Sequence, residues 1–133
     1  MFHLSKKVEY GLIALRHMAT GNRRKLFTTK EIADHYNLSY DLLAKVMQKL
    51  AKSKCVESHQ GIRGGYTLNA DPRQLKVSGV INAIEGKSSV TIVECASDKE
   101  CGIHSTCTIR NPLVKLQKDI NKVFDKLTVM EMF

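Results

Sequence analysis

Between Thr28 and Leu68 the chain offers two short capped helices, a tight turn and a glycine-centred hairpin, with hardly a residue to spare. That succession leaves few ways to fold. Thr28-Thr29-Lys30-Glu31 is a capping-box pattern, a hydroxyl followed three residues later by a carboxylate, and it predicts a helix to about Tyr36. Asn37-Leu38 makes a turn, and Ser39 can cap a second helix from Tyr40 to about Ser53. Leu42, Leu43, Val46, Met47 and Leu50 recur at helical spacing as its buried stripe. Tyr40, Asp41, Lys45, Lys49 and Lys52 are left for the other face. Two helices joined by a turn of about four residues, the second with polar and basic groups outward, match a helix-turn-helix. In that motif the first residues of the second helix meet base edges in the major groove.

Cys55-Val56-Glu57-Ser58-His59-Gln60 and Tyr66-Thr67-Leu68 then flank Gly61-Ile62-Arg63-Gly64-Gly65, a β-hairpin pattern. Placed directly after a helix-turn-helix, a hairpin reads as a wing, with Arg63 at its tip able to enter a minor groove. The plainer alternative is a glycine-rich turn with an incidental arginine.

Charge bears on that choice. Residues 1–76 carry 14 Lys/Arg against 6 Asp/Glu, and residues 77–133 carry 7 against 7, so the whole net charge of +8 sits in the first part. A basic half joined to a neutral half suggests a polyanion-binding module joined to something else, or else solvated surface lysine. With 133 residues and 43% hydrophobic content the chain is one globular domain of ordinary size. No apolar run approaches the roughly 20 residues of a membrane span, and Met1 to Lys7 lacks the pattern of a signal peptide. The expectation is a cytoplasmic protein with no membrane partner, in a compartment that disfavours structural disulfides.

The remaining elements are simpler. Ser5 can cap a first helix to about Thr20, with Val8, Leu12, Leu15 and Ala19 as its stripe and Glu9 in its first turn, where the helix dipole favours a carboxylate. His17 and His35 read as surface or cap residues, and Gly21 to Phe27 as a basic loop. Ser78 can cap a short helix from Gly79 to Glu85, stopped by Gly86. Asn111-Pro112 starts a long amphipathic helix with Leu113, Leu116, Ile120, Val123, Phe124 and Leu127 on one face. That face can pack on its own domain or on a second subunit. The fold class is therefore mainly α with a small β-hairpin wing: a winged helix-turn-helix plus a long C-terminal dimerisation helix. Residues 1–86 form the DNA-binding part and residues 87–133 a cysteine loop with the dimerisation helix, in one compact domain.

Cys95, Cys101 and Cys107 stand six residues apart in a polar stretch, Cys-Ala-Ser-Asp-Lys-Glu-Cys-Gly-Ile-His-Ser-Thr-Cys. Three thiols on one polar loop ask for a ligand or a bridge. Disulfides would leave one thiol over or recruit Cys55. Structural zinc prefers closer ligand pairs than these five-residue gaps. A thiol redox switch, an iron–sulfur cluster, which needs a wide flexible thiolate loop and a fourth ligand, and the poorer-fitting zinc site all remain open.

The order of elements resembles the family of small winged-helix regulators that includes the iron–sulfur regulator IscR and the nitric-oxide-sensing repressor NsrR. The resemblance spans the chain. It rests on Leu4-Ser5-Lys6 with Tyr10, Glu31-Ile32-Ala33, Leu50 to Val56, Gly61-Ile-Arg-Gly-Gly-Tyr66, Val80-Ile81-x-Ala83-Ile84-Glu85-Gly86 and Cys-x5-Cys-x5-Cys before a long helix. It implies a homodimeric transcription regulator whose three cysteines hold an iron–sulfur cluster. Where IscR-like members carry a ligand histidine three residues after the third cysteine, this chain has Arg110. NsrR-like members instead use a carboxylate from the first helix of the partner subunit. The matching position is Glu9, with His104 as the alternative within the loop. A carboxylate ligand favours [4Fe-4S] over [2Fe-2S].

On this reading Ser39, Tyr40, Asp41, Lys45 and Lys49 face the major groove of double-stranded DNA, and His59 and Arg63 lie on the wing; Asp41 can instead simply support its helix start. A cluster-free thiol-redox regulator is the alternative. No phosphate-binding loop, Ser-His-Asp order or paired-carboxylate arrangement suggests an enzyme.

Overall fold

The computed structural model describes residues 3–21, 25–86, 101–103 and 105–132. Five helices and one hairpin follow in order: α1 (Lys6–Thr20), α2 (Thr29–Tyr36), α3 (Tyr40–Lys52), β1 (Val56–His59), β2 (Gly65–Leu68), α4 (Val77–Glu85) and α5 (Arg110–Lys126). A short 3-10 turn, Met130–Met132, follows α5. The expected mainly α fold with a small β-hairpin wing and a long C-terminal helix is the one observed.

Local chemistry sets the helix starts much as the sequence implies. The Ser5, Thr28 and Ser39 hydroxyls accept from the backbone N–H of Val8 (3.3 Å), Glu31 (3.0 Å) and Leu42 (3.4 Å), so each satisfies a first-turn donor that lacks an intrahelical partner. Asn37 takes a left-handed conformation (φ 54°) to end α2, and Leu38 N–H closes the turn on Ala33 O at 2.8 Å. In the Thr28–Glu31 box, the Glu31 carboxylate pairs with Lys25 Nζ at 3.0 Å. The Lys25 ammonium holds Glu31 below the usual carboxylate range.

α3 is the centre of the core. Leu43, Val46, Met47 and Leu50 are buried, and α3 packs on α1, α2 and α4. On α1 the buried residues are Val8, Gly11, Ala14, Leu15 and Met18. The expected stripe is thus rotated: Leu12 and Ala19 are only half-buried. The cause is tertiary. Gly11 has no side chain to obstruct α4, and a Cβ there would collide with the tip of Ile84, so close approach of α4 selects the Gly11 side of α1.

α4 begins earlier than expected. Its N-cap is Lys76, and Ser78 lies inside the helix. The chain after α5 folds back beside residues 72–77 and takes over the capping: Val77 N–H donates to Leu127 O (2.9 Å), Val129 N–H to Leu75 O (2.8 Å) and Met130 N–H to Pro72 O (3.0 Å). Val129 is fully buried there. The first N–H of α4 is thus satisfied by a distant carbonyl, and no side chain caps the helix.

His17 is more than a surface residue. Half-buried at the end of α1, its Nδ1 lies 3.0 Å from Tyr36 Oη, with its ring against those of Phe27, His35 and Tyr36. Burial lowers its pKa from the ordinary 6.5; His35 and Lys25 act in the same direction and Glu31 opposes them. A lowered folded pKa means that the unfolded chain binds the proton more readily. The stability contributed here is complete above pH 6.5 and declines as pH falls from 6.5 through the folded value. His17→Gln is expected to flatten the acid side of a stability–pH profile measured by urea unfolding. Superimposable profiles would remove His17 from the account.

Candidate nucleic-acid interface and cysteine loop

The first turn of α3 carries Ser39, Tyr40 and Asp41 on the exposed side. Ser39 accepts from Leu42 N–H through its oxygen, which leaves its own O–H available to donate. Its backbone N–H meets Tyr10 Oη at 3.4 Å, tying this end of α3 to α1. Tyr40 is half exposed, and Lys45 lies one turn further along the same outward face. Lys49 behaves differently from the other outward residues. Its ammonium donates to Ile84 O at 2.7 Å, which turns it towards the C-terminal end of α4.

The hairpin pairs Val56 with Leu68, Glu57 with Thr67, Ser58 with Tyr66 and His59 with Gly65. His59 Nε2 lies 2.9 Å from Thr67 Oγ1, a diagonal contact across the strands. Gly61 (φ 114°) turns the chain, and Ile62 and Arg63 stand exposed at the tip. Gly64 N–H closes the turn on Gly61 O at 3.0 Å.

A contact that the sequence pattern does not reveal holds the wing to the helices. Phe27, expected in a loop, is buried and exchanges backbone hydrogen bonds with Tyr66, N–H to O at 2.9 Å and 2.8 Å. It acts as a one-residue third strand. Gly65 permits this, since a Cβ there would lie 2.8 Å from Phe27 O. Thr28, Thr29, Lys30, Tyr40 and the wing residues Ser58 to Ile62 thereby line one open cleft of roughly 360 Å³. Of the residues expected to touch DNA, Tyr40 and His59 line it; Thr28, Thr29, Lys30, Gln60 and Tyr66 are among the others around it that fall outside that set. The sequence signal for them is faint: the apolar Leu26-Phe27 pair just before a helix cap.

The cysteine loop is described in part. Cys101 and Cys107 are half-buried and free of disulfides, separated by a turn in which Thr106 N–H donates to Ile103 O at 3.1 Å. Cys95 and His104 lie outside the described residues. Cys55 is buried under the start of the hairpin beside Ser53 Oγ (3.3 Å). Arg110, in the first turn of α5, holds a buried Nε–H with no hydrogen-bond partner among the described residues. Soft thiolate donors suit a thiolate–metal centre, and the unpaired Nε–H of Arg110, three residues after Cys107 in sequence, is a donor that an anionic centre would accept. Glu9 stays in the first turn of α1, partly exposed and paired with Lys6 at 3.2 Å. No group of three His, Cys, Asp or Glu residues among the described residues converges on a metal position.

α5 leaves much of its apolar face uncovered. It packs on α4, with Leu113, Ile120 and Phe124 half-buried, but Leu116 is 47% and Val123 61% exposed. No helix among the described residues is long and apolar enough to cross a membrane.

Comparison with known proteins follows this geometry. Residues 4–133 match the model of the Rrf2 family, described as iron-dependent transcriptional regulators. The chain is 30% identical over 130 residues to the HTH-type transcriptional regulator NsrR of Bacillus licheniformis, covering 96% of this chain and 90% of that protein. To NsrR of Shouchella clausii it is 27% identical over 131 residues, covering 97% and 87%. Among solved structures it resembles IscR of T. potens (TM-score 0.73, 27% identity, covering 98% and 85%). It also resembles CymR, the global cysteine regulator of B. subtilis (TM-score 0.78, 24% identity, covering 99% and 96%).

The wing geometry is directly testable. A Cβ on Gly64 would lie 2.6 Å from His59 O and 2.9 Å from Gly61 O, backbone atoms that cannot swing aside. Gly64→Ala is expected to cost about 1–3 kcal/mol through overpacking. The loss should appear as faster amide exchange in 56–68 rather than in α3. Unchanged exchange there would show that the turn is not fixed by this close approach.

Proposed function

Because the chain belongs to the Rrf2 family of transcriptional regulators, we propose that it binds operator DNA as a homodimer and senses iron–sulfur status, nitric oxide or oxidants through a cluster on its cysteine loop. The observation that carries the reading is the cleft bounded by the start of α3, the start of α2 and the wing, in a chain whose Cys101 and Cys107 are free and half-buried just before α5.

Residues 1–86 act as the reading head. Ser39 and Asp41 offer hydrogen-bonding groups suited to base edges, a carboxylate being the natural acceptor for a cytosine amino group. Tyr40 lies beside them. Lys45 suits a phosphate, and His59 and Arg63 on the wing suit the adjacent groove. Lys49 also suits a phosphate, and its ammonium is turned towards the end of α4 by its bond to Ile84 O. Arg63→Ala is expected to weaken operator binding by about 1–3 kcal/mol, roughly 5- to 150-fold. A fluorescence titration with unchanged affinity and salt slope would remove Arg63 from the interface.

Residues 87–133 act as the sensing and dimerising part. Cys95, Cys101 and Cys107 would supply three thiolates, Glu9 of the opposing protomer a carboxylate, and His104 the alternative fourth ligand; the carboxylate favours [4Fe-4S] over [2Fe-2S]. When bound, the group supplies a centre that reacts with nitric oxide and oxidants. The chain's own residues do the rest. Arg110 presents an N–H that an anionic centre would accept, and the exposed Leu116 and Val123 offer a surface for a second α5. α1 carries Glu9 and packs on both α3 and α4, so a pull on Glu9 reaches the recognition helix through the core. Reading heads about 34 Å apart must match one turn of DNA, so a small rotation of α1 changes affinity.

The free thiols of Cys101 and Cys107 support a second reading, a thiol-redox regulator without a cluster. Anaerobic purification separates the two. A coloured protein whose visible absorbance disappears in the Cys95→Ser/Cys101→Ser/Cys107→Ser variant is expected, with Mössbauer parameters that change in Glu9→Ala and hold in His104→Ala. A colourless protein with full redox-dependent DNA binding would leave the thiol reading in place.

A further inference from the structure

Phe27 ties the wing to the helices, and what holds Phe27 in place is partly titratable. Its backbone bonds twice to Tyr66, N–H to O at 2.9 Å and 2.8 Å, and its side chain is buried. A Cβ on Gly21 would lie 2.7 Å from Phe27 Cζ, so the slot at the end of α1 is filled. His17 forms one wall of that slot, with the two ring centres 5.4 Å apart and edge to face. The rings of His35 (5.3 Å) and Tyr36 (5.4 Å) also lie against His17, and the Tyr36 hydroxyl is 3.0 Å from His17 Nδ1. His17 is therefore the common neighbour of the last turn of α2 and of the residue that carries the wing.

The surroundings of this wall favour a neutral imidazole. Among the described residues, the charged groups that act on His17 are His35, Glu31 and Lys25. Lys25 comes from the segment before α2, its ammonium 5.3 Å from the centre of the Phe27 ring. Glu31 of α2 is the one carboxylate of the three, and it is already engaged by Lys25 at 3.0 Å. Lys30 and Asp34, also on α2, pair with each other at 3.3 Å on its exposed side. On α1 the adjacent Arg16 is exposed, and β2 brings only the Tyr66 phenol. A proton on His17 therefore adds a cation near Lys25 and, once His35 is also protonated, beside a second imidazolium at a ring separation of 5.3 Å. Like charges so close disfavour the charged form, as does partial burial of the ring.

We propose that His17, His35 and Tyr36 form a proton-operated latch on the wing. With His17 neutral, its ring walls the Phe27 slot and the Phe27–Tyr66 pairing is fixed. With His17 protonated, the wall is pushed aside, and Phe27 and Tyr66 part while α3 stays packed. The pKa of His17 is lowered from 6.5 in the closed form, chiefly by burial, so the opened form takes up the proton more readily. Opening is constant above pH 6.5 and grows as pH falls from 6.5 through the closed-state value. On the DNA-binding reading the consequence is weaker operator binding in acid; the latch itself does not rest on that reading.

Two amides report on the latch directly, Phe27 N–H and Tyr66 N–H, since each donates across it. The test is hydrogen exchange of the full chain without DNA, read residue by residue by NMR from about pH 7.5 to about pH 5 and corrected for the intrinsic rate. Both amides are expected to exchange faster than those of buried Val46 and Met47 in α3, through local opening. Below pH 6.5 they should lose protection by up to about tenfold per pH unit, the limit for one proton. His17→Gln, which carries no charge at any of these pH values, is expected to abolish the pH dependence, and His35→Gln to reduce it. A variant that merely repacks the slot lowers protection equally at every pH, so the slope rather than the level carries the result. Equal exchange of the Phe27, Tyr66, Val46 and Met47 amides at every pH would mean that the pairing opens only with the whole protein, and would overturn the latch. A flat profile in the wild type, or one that survives in His17→Gln, would overturn it as well.

Discussion

Burial of one face of α3 against α1 and α4 is the interaction on which the rest of the structure depends. Each of Leu43, Val46, Met47 and Leu50 is shut away from water, at about 1.5–3 kcal/mol per side chain. Their helical spacing then leaves Asp41, Lys45, Gln48 and Lys52 no direction but outward. The face turned to water and the face that holds the fold together are opposite sides of one helix. Any force that shifts α1 or α4 therefore also re-aims the side chains on the outer side of α3, because a packed core shifts as a unit rather than deforming locally.

The wing depends on a second, smaller constraint. A two-stranded hairpin alone is marginal in water, and this one is held by Phe27, which adds two backbone hydrogen bonds to Tyr66 and fills the core beneath. The residues immediately before α2 thus fix the wing, and Thr28 in turn caps α2. Phe27 and Thr28, neighbours in sequence, thus tie β2 of the wing to the start of α2.

The C-terminal part is organised differently. α5 contributes half-buried Phe124, with Leu127 just beyond its end, to the common core and leaves Leu116 and Val123 in water. The segment beyond it is better anchored than the helix itself, since Val129 is buried and its neighbours bond to residues 72–77. That tail clamps the start of α4, so the C-terminal part and the helices before it meet at α4 rather than through the long helix alone.

By itself, the sequence determined the element order, the caps at Ser5, Thr28 and Ser39, the inner stripe of α3 and the position of the hairpin. Each of these is decided within a few residues, by a hydroxyl next to a free N–H or by an apolar repeat of three and four. Only the tertiary structure decided the rest. It rotated the buried stripe of α1 towards Gly11, moved the α4 cap from Ser78 to Lys76, made a strand of Phe27 and drew Lys49 to Ile84 O. In each case the deciding partner is a backbone or side-chain atom far away along the chain. Such a partner leaves no periodicity and no local motif, because what selects it is the space and the hydrogen-bond vacancy created when the helices close on one another.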